Sequence, residues 1–277
     1  MSAVEGAEVE QPKPSRTWIW VLGLIGLCLL GYGYGTVQQQ RQQNDALEAV
    51  DGMKASMTSF VEQQNLDGVP GPIELQPATS TAKGDLGVME VLGKQFINDL
   101  AAQHNDYLKA LEAAGWLRIL DSERLKGDPT MQESRAIIEA SRAVVSEYRK
   151  KAVVLLDSLP ERAKQAPFQS DTARRQFLQG AESGFARGRA NNEQSWDYEE
   201  AIVAEYAGVI ELLASIPGRY EYQDDGSVVF ETDQAVEIYN GHLTKADELI
   251  KAQAEAMKKH QAAAFQRIDE ARDKVAR

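Results

Sequence analysis

The stretch Thr17 to Val37, TWIWVLGLIGLCLLGYGYGTV, runs for 21 residues without a charge. At ~1.5 Å per residue, a helix of that length crosses ~30 Å, the hydrocarbon thickness of a bilayer. Trp18 and Trp20 mark one end and Tyr32 and Tyr34 the other. Amphipathic rings favour both membrane–water interfaces, so this pattern predicts a transmembrane helix over 17–37. A cleaved signal peptide fits less well. Its apolar region is shorter and leads into a small-residue cleavage site, whereas GYGYGTVQQQ offers no A-x-A pattern. Cys28 is preceded by Leu27, which does not suit lipoprotein processing.

Lys13 and Arg16 precede the span and Arg41 is the first cation after it. Cations are retained on the cytoplasmic side, so residues 1–16 are expected to form a short acidic cytoplasmic tail. The large C-terminal part is then expected to be periplasmic, on an inner (cytoplasmic) membrane. Gly31 and Gly35 make a G-x-x-x-G spacing that would let two spanning helices approach closely. Glycine is also common in single spanning helices, so the spacing alone does not decide between the two.

Beyond the span, 38–66 is expected to be a juxtamembrane amphipathic helix, because Leu47, Val50, Met57 and Val61 recur at helical intervals. The 67–87 stretch contains Pro70, Pro72 and Pro77 with Gly68, Gly71, Gly84 and Gly87. It reads as a linker, since proline removes amide donors and glycine costs backbone entropy. Residues 88–277 are expected to form a helical domain. Val88, Leu92, Phe96, Leu100, Leu108 and Leu111 share a face up to a stop at Gly115. A helix is expected from Asp128-Pro129 to Pro160, and another from Ser170 or Asp171. A further helix is expected to start near Ser195 and end at Pro217-Gly218. Around Asp225-Gly226, the alternation of Tyr220, Tyr222 and Val228–Phe230 predicts one hairpin at about 219–231. A long helix from Asp233 to near Arg277 closes the chain. Its seven-residue repeat includes Tyr239, Ala246, Met257, Ala264 and Ala271, with Gln253 and His260 at core-like positions. The expected fold class is therefore mainly α, a single transmembrane helix followed by an elongated helical bundle with one β-hairpin.

Chemistry is harder to find. Thirty Lys and Arg against 42 Asp and Glu give a net charge of −12, which disfavours nucleic acid as a partner. One cysteine excludes a disulfide framework and a multi-cysteine metal cage. The sequence contains no phosphate loop and no H-E-x-x-H motif. Gly180-Ala-Glu-Ser183-Gly184 lacks the first glycine of a nucleophile elbow. None of His104, His242 and His260 has an acidic, Cys or His residue three or four positions away. His104, on an apolar stripe, reads as a core histidine, and the other two as solvent-facing or helix-packing residues. No catalytic, metal-binding or cofactor-binding residues are expected.

Gly180, Gly184 and Gly188 recur every four residues, followed by Asn192. Each glycine inside a helix costs ~1 kcal/mol against alanine, so close approach of another element is expected to offset the row. Three readings fit it: a possible helix-contact groove for a partner, an internal helix crossing, and a flexible break at 187–192.

The stretch Tyr220 to Leu243, with Thr232-Asp-Gln-Ala-Val-Glu-Ile-Tyr239-Asn240 after the hairpin, resembles a segment of an uncharacterised family of envelope-anchored, mostly helical bacterial proteins. The likeness covers about a tenth of the chain and includes no diagnostic motif. It implies location and helical character and transfers no functional residue. Members of that family carry a lipid-modified cysteine, which the surroundings of Cys28 do not reproduce.

Taken together, these features suggest a non-enzymatic interaction or scaffolding protein of the cell envelope. Its expected partners are the lipid bilayer and other envelope proteins or itself. A periplasmic ligand-sensing helical domain is the alternative, and an envelope hydrolase ranks behind both.

Overall fold

The computed structural model describes residues 40–64, 71–223 and 226–276, without the side chains of 40–42, 183 and 185–187. The expected span 17–37, with Gly31 and Gly35, and residues 1–16 lie outside the described residues. Among the described residues, no helix is long and apolar enough to cross a membrane. The fold is mainly α-helical, a helical bundle with one two-stranded hairpin.

In chain order the helices are α1 (Gln40–Gln63), α2 (Gly84–Ala113), a 3-10 turn (Trp116–Arg118), α3 (Ser122–Lys126), α4 (Gln132–Gln165) and α5 (Asp171–Ser215). The strands β1 (Tyr220–Tyr222) and β2 (Val228–Phe230) follow, then α6 (Asp233–Ala276). Side-chain contacts fix the helix directions. Tyr107 on α2 lies against Tyr148 on α4, while Asp99 on α2 reaches Arg162 on α4, so these two helices are antiparallel. Arg149 and Arg135 on α4 reach Glu200 and Glu211 on α5, which runs back the other way. On α6, Gln253 and His242 meet Glu199 and Glu205 of α5, again antiparallel. Helices α2, α4, α5 and α6 therefore alternate up and down. Helix α1 runs parallel to α2 and antiparallel to α6, with Gln43 Nε2 donating to the Val275 carbonyl at 2.6 Å and Arg272 Nε to Asp51 Oδ1 at 2.8 Å.

One hydrophobic core joins all five long helices. Met53, Met57 and Phe60 of α1 belong to it together with Phe96, Leu156, Phe177, Val209 and Met257. The helix expected over 38–66 is thus built into the same core as the residues after 88. Its buried face is centred on Met53, Met57 and Phe60, and Leu47 and Val61 are only half-buried.

Between the parallel α1 and α2, residues 71–82 form no regular element, as the prolines predict, but they return along both helices as an ordered strap. Helix α2 already starts at Gly84, inside the range expected to be linker. Gly115 takes a left-handed φ of 86° just after α2, which agrees with the expected stop.

Three further boundaries differ from expectation. Helix α4 starts at Gln132 rather than at Asp128-Pro129, although Asp128 still serves its first turn. Its Oδ2 accepts from Ser134 N–H at 2.7 Å and from Ser134 Oγ at 2.8 Å. Pro160 does not end α4, which continues to Gln165. Proline removes one helical hydrogen bond, but Leu156, Leu159 and Ala163 are anchored in the core on both sides of it. No new helix begins near Ser195. Helix α5 runs unbroken for 45 residues, and Ser195 and Trp196 are fully buried in its interior. Packing along that face outweighs the poor helix propensity of the glycines.

The hairpin pairs Tyr220 with Phe230, Glu221 with Val229 and Tyr222 with Val228. Gly226 takes a φ of 84° in the link, the left-handed conformation that glycine accepts readily. An isolated hairpin is marginal in water. Here Tyr220 and Phe230 pack on the bundle core, with Phe230 5.1 Å from Tyr239 of α6.

Candidate functional site

Two polar constellations join α5 to its neighbours. The deeper one centres on Glu199, which is 1% exposed. Tyr107 Oη of α2 donates to Glu199 Oε2 at 2.9 Å, and Gln253 Nε2 of α6 donates to Oε1 at 2.8 Å. One turn earlier on α5, Trp196 Nε1 donates to Asn192 Oδ1 at 3.1 Å. The Trp196 indole meets the Tyr107 ring edge-on at 5.5 Å, and Tyr107 packs at 5.4 Å against Tyr148 of α4. Three helices thus meet at one carboxylate, and α4 packs against its Tyr107 partner. Tyr107, Trp196 and Gln253 are each fully buried, so nothing in solution reaches this carboxylate while the helices stay packed. A sealed, hydrogen-bonded network fixes which turn of one helix faces which turn of another, because any slip leaves donors without acceptors.

The second constellation lies nearer the surface. His242 Nδ1 of α6 is 2.7 Å from Glu205 Oε2, and Lys245 Nζ is 2.6 Å from Glu205 Oε1. Burial pushes the Glu205 carboxyl up, but Lys245 and His242 outweigh it and hold the pKa below the usual value. Carboxylate–imidazole pairing is how hydrolases orient a general base. Here the ring lies on the backbone of α5. A Cβ at Gly208 would overlap His242 Cε1, Nε2 and Nδ1, so this edge of the ring packs directly on the α5 backbone. The arrangement wedges two helices together, with one edge of the ring against Gly208 and the His242 side chain 32% exposed.

His104 is a core residue, as its apolar stripe predicts. It is 3% exposed, and burial lowers its pKa to about 4, with the Gly71 backbone acting in the opposite direction. It is therefore neutral at ordinary pH. For His242, the spacing rule saw no acidic neighbour because Glu205 lies 37 residues away and arrives only through the α5–α6 crossing.

Gly180, Gly184 and Gly188 are all buried in α5, flanked by buried Phe177 and Ala181. The chain covers its own glycine row, and α5 passes through 187–192 as continuous helix. Among the described residues, no group of three or more His, Cys, Asp or Glu is placed to hold a metal ion.

A mainly apolar hollow of about 490 Å³ lies between the start of α2 and the end of α4. Gly87, Val88, Val91, Leu92, Ala166 and Pro167 line it, with Arg162 close by. Arg162 is already paired with Asp99.

Among the described residues, Glu199 and Glu205 take polar partners from neighbouring helices and tie those helices together, whereas both ring nitrogens of buried His104 have no hydrogen-bond partner. Comparison with known proteins adds no template for this arrangement, since no family model, no curated protein and no solved structure matches the chain.

Proposed function

We propose that this chain is a single-pass membrane-anchored envelope protein whose helical ectodomain serves as an interaction or scaffolding module. The observation that carries the reading is the uncharged run 17–37, which ends only two residues before α1 begins at Gln40. Helix α1 is rooted in the main core through Met53, Met57 and Phe60, so a tether at its start would hold the whole bundle. The chain end lies at the same end of the molecule, where Gln43 contacts Val275. Helices α5 and α6, of 45 and 44 residues, would carry the opposite end ~65 Å from the bilayer. The hairpin lies towards that distal end. The sealed Glu199 network and the His242 wedge support a structural rather than catalytic use of the polar groups.

Alkaline carbonate extraction tests the anchor, and reporters fused after Arg277, one active only in the cytoplasm and one only outside, test the orientation. Retention in the membrane pellet with an active outside reporter is expected. Release into the supernatant, or cytoplasmic activity alone, overturns the proposal. The hollow beside Val88 and Ala166 favours a second reading, a ligand-sensing domain, which predicts thermal stabilisation of the protein by a small apolar ligand.

A further inference from the structure

The strap of residues 71–82 is held in an unusual way for a connection. Asn105 of α2 grips Ile73 through both backbone groups, its Oδ1 accepting from the N–H at 2.7 Å and its Nδ2 donating to the carbonyl at 2.8 Å. Asn98 grips Gln76 in the same manner, at 3.0 and 2.6 Å. Seven helical residues advance ~10.5 Å and three extended residues advance ~10 Å, so the two clamps are in step with an extended chain. Gln63 of α1 accepts from the Glu74 N–H between them at 2.6 Å.

Further along, Glu90 Oε2 accepts from the N–H groups of Thr81 at 2.8 Å and Ala82 at 3.1 Å. Lys94 holds the Thr79 carbonyl at 2.9 Å and pairs with Glu90 at 2.7 Å. Two glycines make room for this end. A Cβ at Gly52 would come within 2.5 Å of Glu90 Oε1, and one at Gly87 within 2.5 Å of the Ala82 carbonyl.

The asparagine clamps read peptide backbone, whereas Glu90 also takes the Ser80 hydroxyl at 3.0 Å and the Thr81 hydroxyl at 3.0 Å. The strap contributes little packing of its own, since only Ile73 and Ala82 are buried and Leu75 is 57% exposed. Pro72 and Pro77 have no N–H to satisfy, and they keep their preceding residues extended.

We propose that the face of α2 bearing Glu90, Asn98 and Asn105, bordered by α1, is a cleft for an extended polypeptide, which residues 71–82 occupy as a displaceable internal ligand. The external ligand is an extended segment of a partner protein with a branched apolar residue at the Ile73 position and a small residue at the Ala82 position. A second copy of this chain fits less well. Exchanging the strap between copies would drag α1, with its buried Met53, Met57 and Phe60, out of the core. The inference rests on the interaction role proposed above for its purpose, but its test does not involve the bilayer, so failure here leaves the extraction and reporter results standing.

The experiment uses the full chain in detergent micelles and a fluorescent synthetic peptide of residues 71–82. Ile73→Asp weakens the internal ligand and is expected to bind the peptide roughly tenfold or more tightly than the unaltered chain, because apparent affinity scales with the open fraction. Adding Asn98→Ala and Asn105→Ala is expected to abolish that gain. No gain with Ile73→Asp, or a gain that persists without the asparagines, overturns the proposal. A dimer of Ile73→Asp that binds no peptide assigns the cleft to a second copy and also overturns it. Where Ile73→Asp loses helicity, hydrogen exchange on the unaltered chain decides. The Ile73, Gln76, Thr81 and Ala82 amides are expected to exchange about 100-fold faster than core amides of α2, and equal protection refutes a displaceable strap.

Discussion

Glu90 and Glu199 are both buried carboxylates that hold three segments of chain together, yet they do so by different means. Glu90 takes backbone amides from a strap only a few residues away in sequence, with Lys94 one turn along the same helix. Burial raises its pKa, but Lys94, the Ala82 and Thr81 amides and Ser80 together hold it below the ordinary carboxylate value. Glu199 instead takes side-chain donors from Tyr107 and Gln253, 92 and 54 residues away. The Glu90 clasp is local and secures a segment that can open while the bundle stays folded. The Glu199 network is global, and loosening it unpacks helices. A buried charge therefore has different consequences according to the sequence separation of the groups that satisfy it.

The sharpest way to break this contrast is Glu199→Ala. It strands the Tyr107 hydroxyl and the Gln253 amide and leaves a void, so a loss of about 3–5 kcal/mol in urea unfolding is expected, with all helices melting together. Glu90→Ala is expected to cost less, about 2–3 kcal/mol, and to speed exchange of the Thr81 and Ala82 amides well before the helices unfold. Equal effects of the two substitutions on global melting would erase the distinction.

His104 sharpens the comparison on a group without a charged partner. Its pKa falls from 6.5 to about 4, so the unfolded chain takes a proton that the folded chain refuses. The stability His104 contributes is complete above the unfolded value, declines as pH falls, and is lost near the folded value, a swing of about 3 kcal/mol. His104→Gln is expected to flatten that part of the curve when urea midpoints are compared from pH 7 to pH 4.

Gly208→Ala places a methyl into the His242 ring and is expected to cost about 1–3 kcal/mol. Adding His242→Ala is expected to restore most of the loss, which a double-mutant cycle measures. Last, Arg135→Ala removes an exposed, solvent-screened pair with Glu211 and is expected to leave the urea midpoint essentially unchanged.

Much of the helical scaffold is legible in the chain. The apolar repeat of α6, the stop at Gly115, the Ser170 cap and the hairpin at 220–230 all follow from local chemistry. Ser170 Oγ accepts from the Thr172 and Ala173 amides at 3.2 and 3.3 Å, which is what an N-cap serine does. Two of the errors have a common cause. Pro160, and Ser195 with Asp197, Glu199 and Glu200 behind it, both carry the local chemistry of a helix boundary, which places an end in α4 and a start in α5. Both helices persist because buried residues on either side are held by other helices, a gain that no local window contains.

Residue order by itself determined the periodicities, the caps and turns, the acidic balance and the uncharged run near the start, because each depends on neighbours within a few positions. Only the tertiary structure decided that α1 joins the main core, that the proline-rich stretch becomes a clamped strap, and that Glu199 and His242 find partners. Those contacts join residues that become neighbours only once whole helices have packed, and helix packing depends on the combined shape of many side chains rather than on any short segment.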